Sequence, residues 1–221
     1  MNTRNLWLFS ILLSLILCGL GLGELMIRRQ TGASFYLLNK SLACTAILMI
    51  TLSYVISAVH AFWDIPNKFL LYRRYTGLVG YGYAVLHIIA SLFVKDPKAP
   101  LTNKFPFPDY FIDHPIAFLS ALAGFGLFSY AFFLSIAPHR HNGTPQKARA
   151  WRKKLRYGYA GVLLICIHLV SLKLEGWITW LTTLSPTLPP LSLIAASTLT
   201  CLILLKILQL RKEKRVFETI K

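Results

Sequence analysis

Six runs of roughly twenty apolar residues, nearly free of charge, leave few folds open to this chain: 6–27, 38–60, 75–94, 112–137, 157–176 and 188–208. About twenty such residues are what an α-helix needs to cross a hydrocarbon core, where every backbone polar group must be satisfied inside the segment. The runs take up most of the 221 residues, 55% of which are hydrophobic and only 14% charged. They leave no stretch for a soluble nucleotide or substrate domain, and no glycine-rich loop to cradle a phosphate. The expectation is an all-α polytopic membrane protein, a single six-helix bundle over 1–221 with a basic tail at 209–221.

The net charge of +16 would suit a nucleic-acid binder, but its placement argues against one. With both termini on the cytoplasmic side, seventeen of the 24 lysines and arginines fall in inner segments and seven in outer ones. This bias sets an N-in, C-in orientation. The basic excess then faces anionic lipid headgroups or an acidic cytoplasmic partner, with no nucleic acid. The first run continues past Glu24 to Arg28 and Arg29, which reads as an uncleaved anchor. Cys18, Cys44, Cys166 and Cys201 sit inside apolar runs without CxxC spacing and read as packing residues.

Two of the runs carry the chemistry. RRYTGLVGYGYAVLH at 73–87 and LRYGYAGVLLICIH at 155–168 each begin at basic residues, carry glycines early and reach one histidine about twelve residues in. A titratable group inside a membrane helix is expensive and is a functional hypothesis by default. Gly80 precedes His87 by seven residues and Gly161 precedes His168 by seven, so each glycine shares a helix face with its histidine. One reading is a flat macrocycle between two helices, with an axial nitrogen from each side and a slot left by each glycine. The other is that the glycines serve close packing and the histidines bond across it.

The remaining histidines read differently. His60 is interfacial, and the only histidine at the inner end of a helix; His114 lies in an outer loop; His139 and His141 lie in the most basic inner loop, with no acid or cysteine beside them. Asp113 is expected to cap the fourth helix, with Pro115 in its first turn.

The two histidine stretches resemble the ferric reductase-like transmembrane domain family, and within it the small six-helix heme-binding membrane subunits of the periplasmic methionine sulfoxide reductase system. Length, helix count and orientation agree as well. The resemblance implies a b-type cytochrome of a bacterial inner membrane, with His87 and His168 as axial ligands of one heme b. Electrons would come from a separate cytoplasmic flavin reductase or from quinol, and pass to an extracytoplasmic redox partner. Larger relatives hold a second heme through histidines about thirteen positions earlier on each helix. Here those positions carry Arg73 or Arg74 and Leu155 or Arg156, and arginine cannot serve as an iron ligand. The inner half of the path is then open to a second heme held by His60, to bound FMN or quinone, or to quinol feeding the outer heme directly. Arg73, Arg74 and Arg156 are expected to bind heme propionates or a flavin phosphate, unless they are ordinary positive-inside residues. Two other classes fit the same residues: a transporter or channel passing protons or metal through His87 and His168, and a heme-free structural subunit. The lack of mid-helix acids weighs against the transporter.

Overall fold

A computed structural model describes residues 3–29, 32–63, 66, 69–93, 112–136, 154, 157–183 and 189–219. It contains six long helices: α1 (Thr3–Arg29), α2 (Phe35–Phe62), α3 (Phe69–Phe93), α4 (Pro115–Ile136), α5 (Tyr157–Thr182) and α6 (Leu191–Thr219). All six are long and apolar enough to span a bilayer, and no strand occurs among the described residues. The chain is an all-α, multi-pass integral membrane protein.

Five of the six helices overrun their apolar runs at one end or both. Ser34 caps α2, its hydroxyl accepting from the Leu37 N–H at 3.3 Å. Helix α2 ends at Phe62; the Pro66 carbonyl accepts from the Phe69 N–H at 2.9 Å, and α3 starts there, six residues before the apolar run does. Arg73 and Arg74 are therefore inside a helix. At α4, Pro115 takes the first helical position, where its missing N–H is harmless, and the His114 carbonyl takes the first bond, from Phe118 at 2.9 Å. The capping position is thus His114 and not Asp113. The basic tail continues α6 as far as Thr219.

Helix α2 is the centre of the bundle: 44% of its apolar window is buried, against 22–28% for the other five. It packs along α3; α3 touches α4, α4 packs along α5, and α6 closes the ring between α5 and α2, with α1 outside against α2 and α3. Lipid tails are as apolar as leucine, so such helices associate through close packing and interhelical hydrogen bonds. Both devices are present. A side chain at Gly80 would put its Cβ 2.9 Å from the Ile50 backbone nitrogen, and one at Gly77 would lie 2.9 Å from the Ser53 hydroxyl. Across α4 and α5, Gly124 and Gly161 face each other, each with its would-be Cβ 3.3 Å from the other's carbonyl. The Ser53 hydroxyl donates to the Arg73 carbonyl at 2.7 Å, Ser41 to the Cys18 carbonyl at 2.6 Å, and the Trp177 indole to Ser192 at 3.0 Å. Large apolar side chains such as Leu20, Ile116 and Phe133 point outward, where lipid covers them.

The glycines along α3 are not equivalent. Gly80→Ala forces a shift of the α2 backbone and is expected to destabilise the bundle by about 1–3 kcal/mol. Nothing lies within 4 Å of a Cβ at Gly82. There Gly82→Ala is expected to be neutral or to stabilise by up to ~1 kcal/mol through helix propensity. Thermal melting in detergent compares the two, and equal effects would contradict the packing role given to Gly80.

Candidate functional site

The antiparallel pairing of α2 with α3 sets the surroundings of His87. Ser57 meets Arg73 and Ile50 meets Gly80, so the start of α2 arrives beside the C-terminal half of α3, where Asn39 meets His87. The His87 Nδ1 lies 2.7 Å from the Asn39 side-chain oxygen and 3.1 Å from the Asn39 backbone carbonyl. Both of these are acceptors, so Nδ1 carries the proton and donates. The amide orientation is fixed from its other end: Asn39 Nδ2 donates to the Ser91 hydroxyl at 3.0 Å, and that hydroxyl donates to the His87 carbonyl at 2.7 Å. Four groups on two helices thus hold one imidazole in one tautomer, with no partner for the Nε2 lone pair among the described residues.

Helices α4 and α5 repeat the arrangement with different parts. His168 Nδ1 donates to the Ala117 backbone carbonyl at 2.8 Å. Here too the acceptor is a carbonyl, so the proton is on Nδ1, and the Nε2 lone pair has no partner among the described residues. Asn39 is the fifth residue of α2 and Ala117 the third of α4, so both partners lie in the first turns of helices that enter from the same side. The two imidazoles are half-buried. Donating the second ring nitrogen to a carbonyl is what orients a metal-ligating histidine and raises its basicity.

Gly80 and Gly161 do share faces with their histidines, but those faces are helix contacts. The expected slots are filled: Gly80 is covered by Met49 and Ile50 of α2, and Gly161 by Phe128 and Gly124 of α4. Their physical role is to bring the partner helix close enough for its carbonyl to reach the ring two turns away. Assigning them to the edge of a macrocycle is corrected accordingly. His60, in the last turns of α2, is twenty-one residues from Asn39, about 31 Å along the axis. It lines a separate apolar hollow of about 300 Å³ with Val59 and Phe69, apart from the His87–His168 pair. Arg74 lies on α3 thirteen residues before His87, about 20 Å away along the axis. Arg156, Leu155, His139 and His141 lie outside the described residues.

Asn39 escaped the sequence reading, although an asparagine early in an apolar run is itself a signal, since such a group needs a partner in the bundle. Ala117 acts only through its backbone and leaves no trace in the sequence.

Among the described residues no group of three or more His, Cys, Asp or Glu side chains comes together. A bare metal ion would need such a set, whereas two imidazole nitrogens suffice for an iron whose other four ligands come from a macrocycle. Two imidazoles are a donor set that a heme iron would accept. No family model matches the chain, and no characterised protein matches it significantly.

Asn39→Leu removes the side-chain link between α2 and α3 while keeping the apolar volume. Its expected cost is about 0.6–2 kcal/mol, the range for interhelical polar contacts in membranes. A melting temperature equal to wild type would show that the amide holds nothing in place.

Proposed function

We propose that the protein is a b-type cytochrome subunit that passes electrons across a membrane, with His87 and His168 as the two axial ligands of one heme b. The observation that carries this reading is the matching arrangement of two imidazoles, each held through Nδ1 by a carbonyl of the neighbouring helix, each with no Nε2 partner among the described residues. The reading also follows the resemblance of 73–87 and 155–168, the stretches that carry these histidines, to the ferric reductase-like family. A heme bound there supplies one-electron chemistry between ferric and ferrous iron.

The chain's own residues do the rest. His87 and His168 donate from opposite helices, Asn39 and the Ala117 carbonyl fix the ring orientations, and the apolar faces of the bundle keep water out. One heme per chain is favoured, because Arg74 stands where a second ligand on α3 would be. Electrons enter from the cytoplasmic side, from a separate flavin reductase or from quinol, with FMN or quinone as the carrier. They leave to an extracytoplasmic redox partner. Stacked rings occupy the level between the arginines and the histidines: Tyr81 lies 4.3 Å from Phe132 and 5.6 Å from Phe125, centroid to centroid. The membrane is a bacterial inner membrane on this reading, with both termini cytoplasmic.

His87→Ala and His168→Ala are each expected to abolish the low-spin heme spectrum of the purified protein; an unchanged spectrum in either one would remove that residue from the ligand set. Asn39→Ala keeps both ligands and is expected to lower heme affinity by about 10–100-fold, as loss of an orienting partner does at metal sites. Heme titration of the apoprotein measures it, and wild-type affinity would mean that Asn39 does not orient His87.

A further inference from the structure

Between α2, α3 and α4, at the Arg73–Arg74 end of the bundle, lies a cleft of about 280 Å³. Arg73 and Arg74 line it together with Tyr54, Tyr81, Phe128 and Phe132, and no acidic side chain does among the described residues. Helices α3 and α4 touch least of the neighbouring pairs in the ring, chiefly through Tyr81, which bonds Ser129 at 2.9 Å and stacks on Phe125 and Phe132.

The two arginines are not ordinary solvated charges. Arg73 is held, with one guanidinium nitrogen 3.1 Å from the Ser57 hydroxyl and its carbon 6.0 Å from the Tyr54 ring centre. Arg74 has a fully buried Nε with no hydrogen-bond partner among the described residues. A buried guanidinium nitrogen without an acceptor is costly, and guanidinium favours bidentate contact with an oxyanion. The molecule that complements this cleft has an anionic oxygen group at one end, for the arginines, and an apolar body that lies against Phe128, Phe132 and the ring of Tyr81. At the inner end of spanning helices that combination is found in the membrane itself, and basic pockets between such helices bind anionic lipid headgroups.

We propose that the Arg73–Arg74 cleft is a specific binding site for an anionic phospholipid of the inner leaflet, its phosphate held by both guanidinium groups and an acyl chain lying along α3 and α4. The site is independent of the heme reading and stands whether or not His87 and His168 carry iron. Because the Arg74 Nε lacks an acceptor among the described residues, Arg74 costs stability in the empty protein and contributes it in the occupied one.

The test uses the full chain, delipidated in mild detergent and titrated with short-chain phosphatidylglycerol or phosphatidylcholine while thermal unfolding is followed. Wild type is expected to gain stability with phosphatidylglycerol and not with phosphatidylcholine. Arg74→Gln is expected to bind phosphatidylglycerol about tenfold more weakly, the loss of one charge-assisted contact. It should also melt higher than wild type when both are lipid-free, and lower at saturating phosphatidylglycerol. Arg74→Lys, which keeps the charge but not the fork, should fall between them. A crossing of this kind does not come from a folding defect alone. Equal stabilisation by the two lipids, or an unchanged phosphatidylglycerol response in Arg74→Gln, would overturn the proposal. So would a phosphate compound that co-purifies with wild type, depends on Arg74, and partitions into water on chloroform–methanol extraction, since that ligand would be a soluble phosphate and not a lipid.

Discussion

Close approach of paired helices is the constraint on which the rest of this structure depends. Inside a bilayer no hydrophobic gain draws α2 to α3 or α4 to α5, so the contacts rely on missing side chains at Gly77 and Gly80, and at Gly124 and Gly161. Once the backbones are this near, a carbonyl of one helix can take a hydrogen bond from a ring on the next, as Asn39 and Ala117 do for His87 and His168. The seven-residue spacing from glycine to histidine is the same in both pairs because it solves the same problem. It places the contact and the ring on one face, two turns apart.

The two ends of the bundle differ in electrostatics. At the histidine end, each imidazole has a carbonyl acceptor for Nδ1, and its remaining capacity is a lone pair, which suits a metal. At the arginine end, the unused capacity is that of a cation, with the buried Nε of Arg74 lacking an acceptor and no acid lining the cleft among the described residues. The proposed iron site and the proposed anion site rest on these opposite deficits. They are separated along α3 by the thirteen residues between Arg74 and His87, about 20 Å.

The fold was legible because six apolar runs of spanning length admit few arrangements, and all six became helices within a few residues of the runs at most ends. Boundaries moved where local chemistry outweighed hydropathy: Pro66 set the start of α3, Pro115 that of α4, and the basic tail continued α6. The histidine pair could be found from cost alone, since few residue types are as unwelcome in hydrocarbon. What surrounds it could not. The face shared by Gly80 and His87 was readable from spacing, but whether that face meets a ligand or another helix depends on which helix lies opposite, and periodicity does not encode neighbours. Asn39 was visible as a polar residue in an apolar run, yet its link to His87 joins positions forty-eight residues apart. Ala117 contributes a carbonyl, which every residue has.

The most direct measurement is a visible spectrum of the purified wild-type protein, oxidised and dithionite-reduced, with heme quantified per chain after expression with ample heme supply. A low-spin b-type spectrum with one heme per chain is the expected result. It would tie the two free Nε2 positions to one iron and leave the arginine end without a heme. A protein that folds, stays monodisperse and takes up no heme under those conditions would contradict the account, and would leave the paired histidines as interhelical hydrogen bonds.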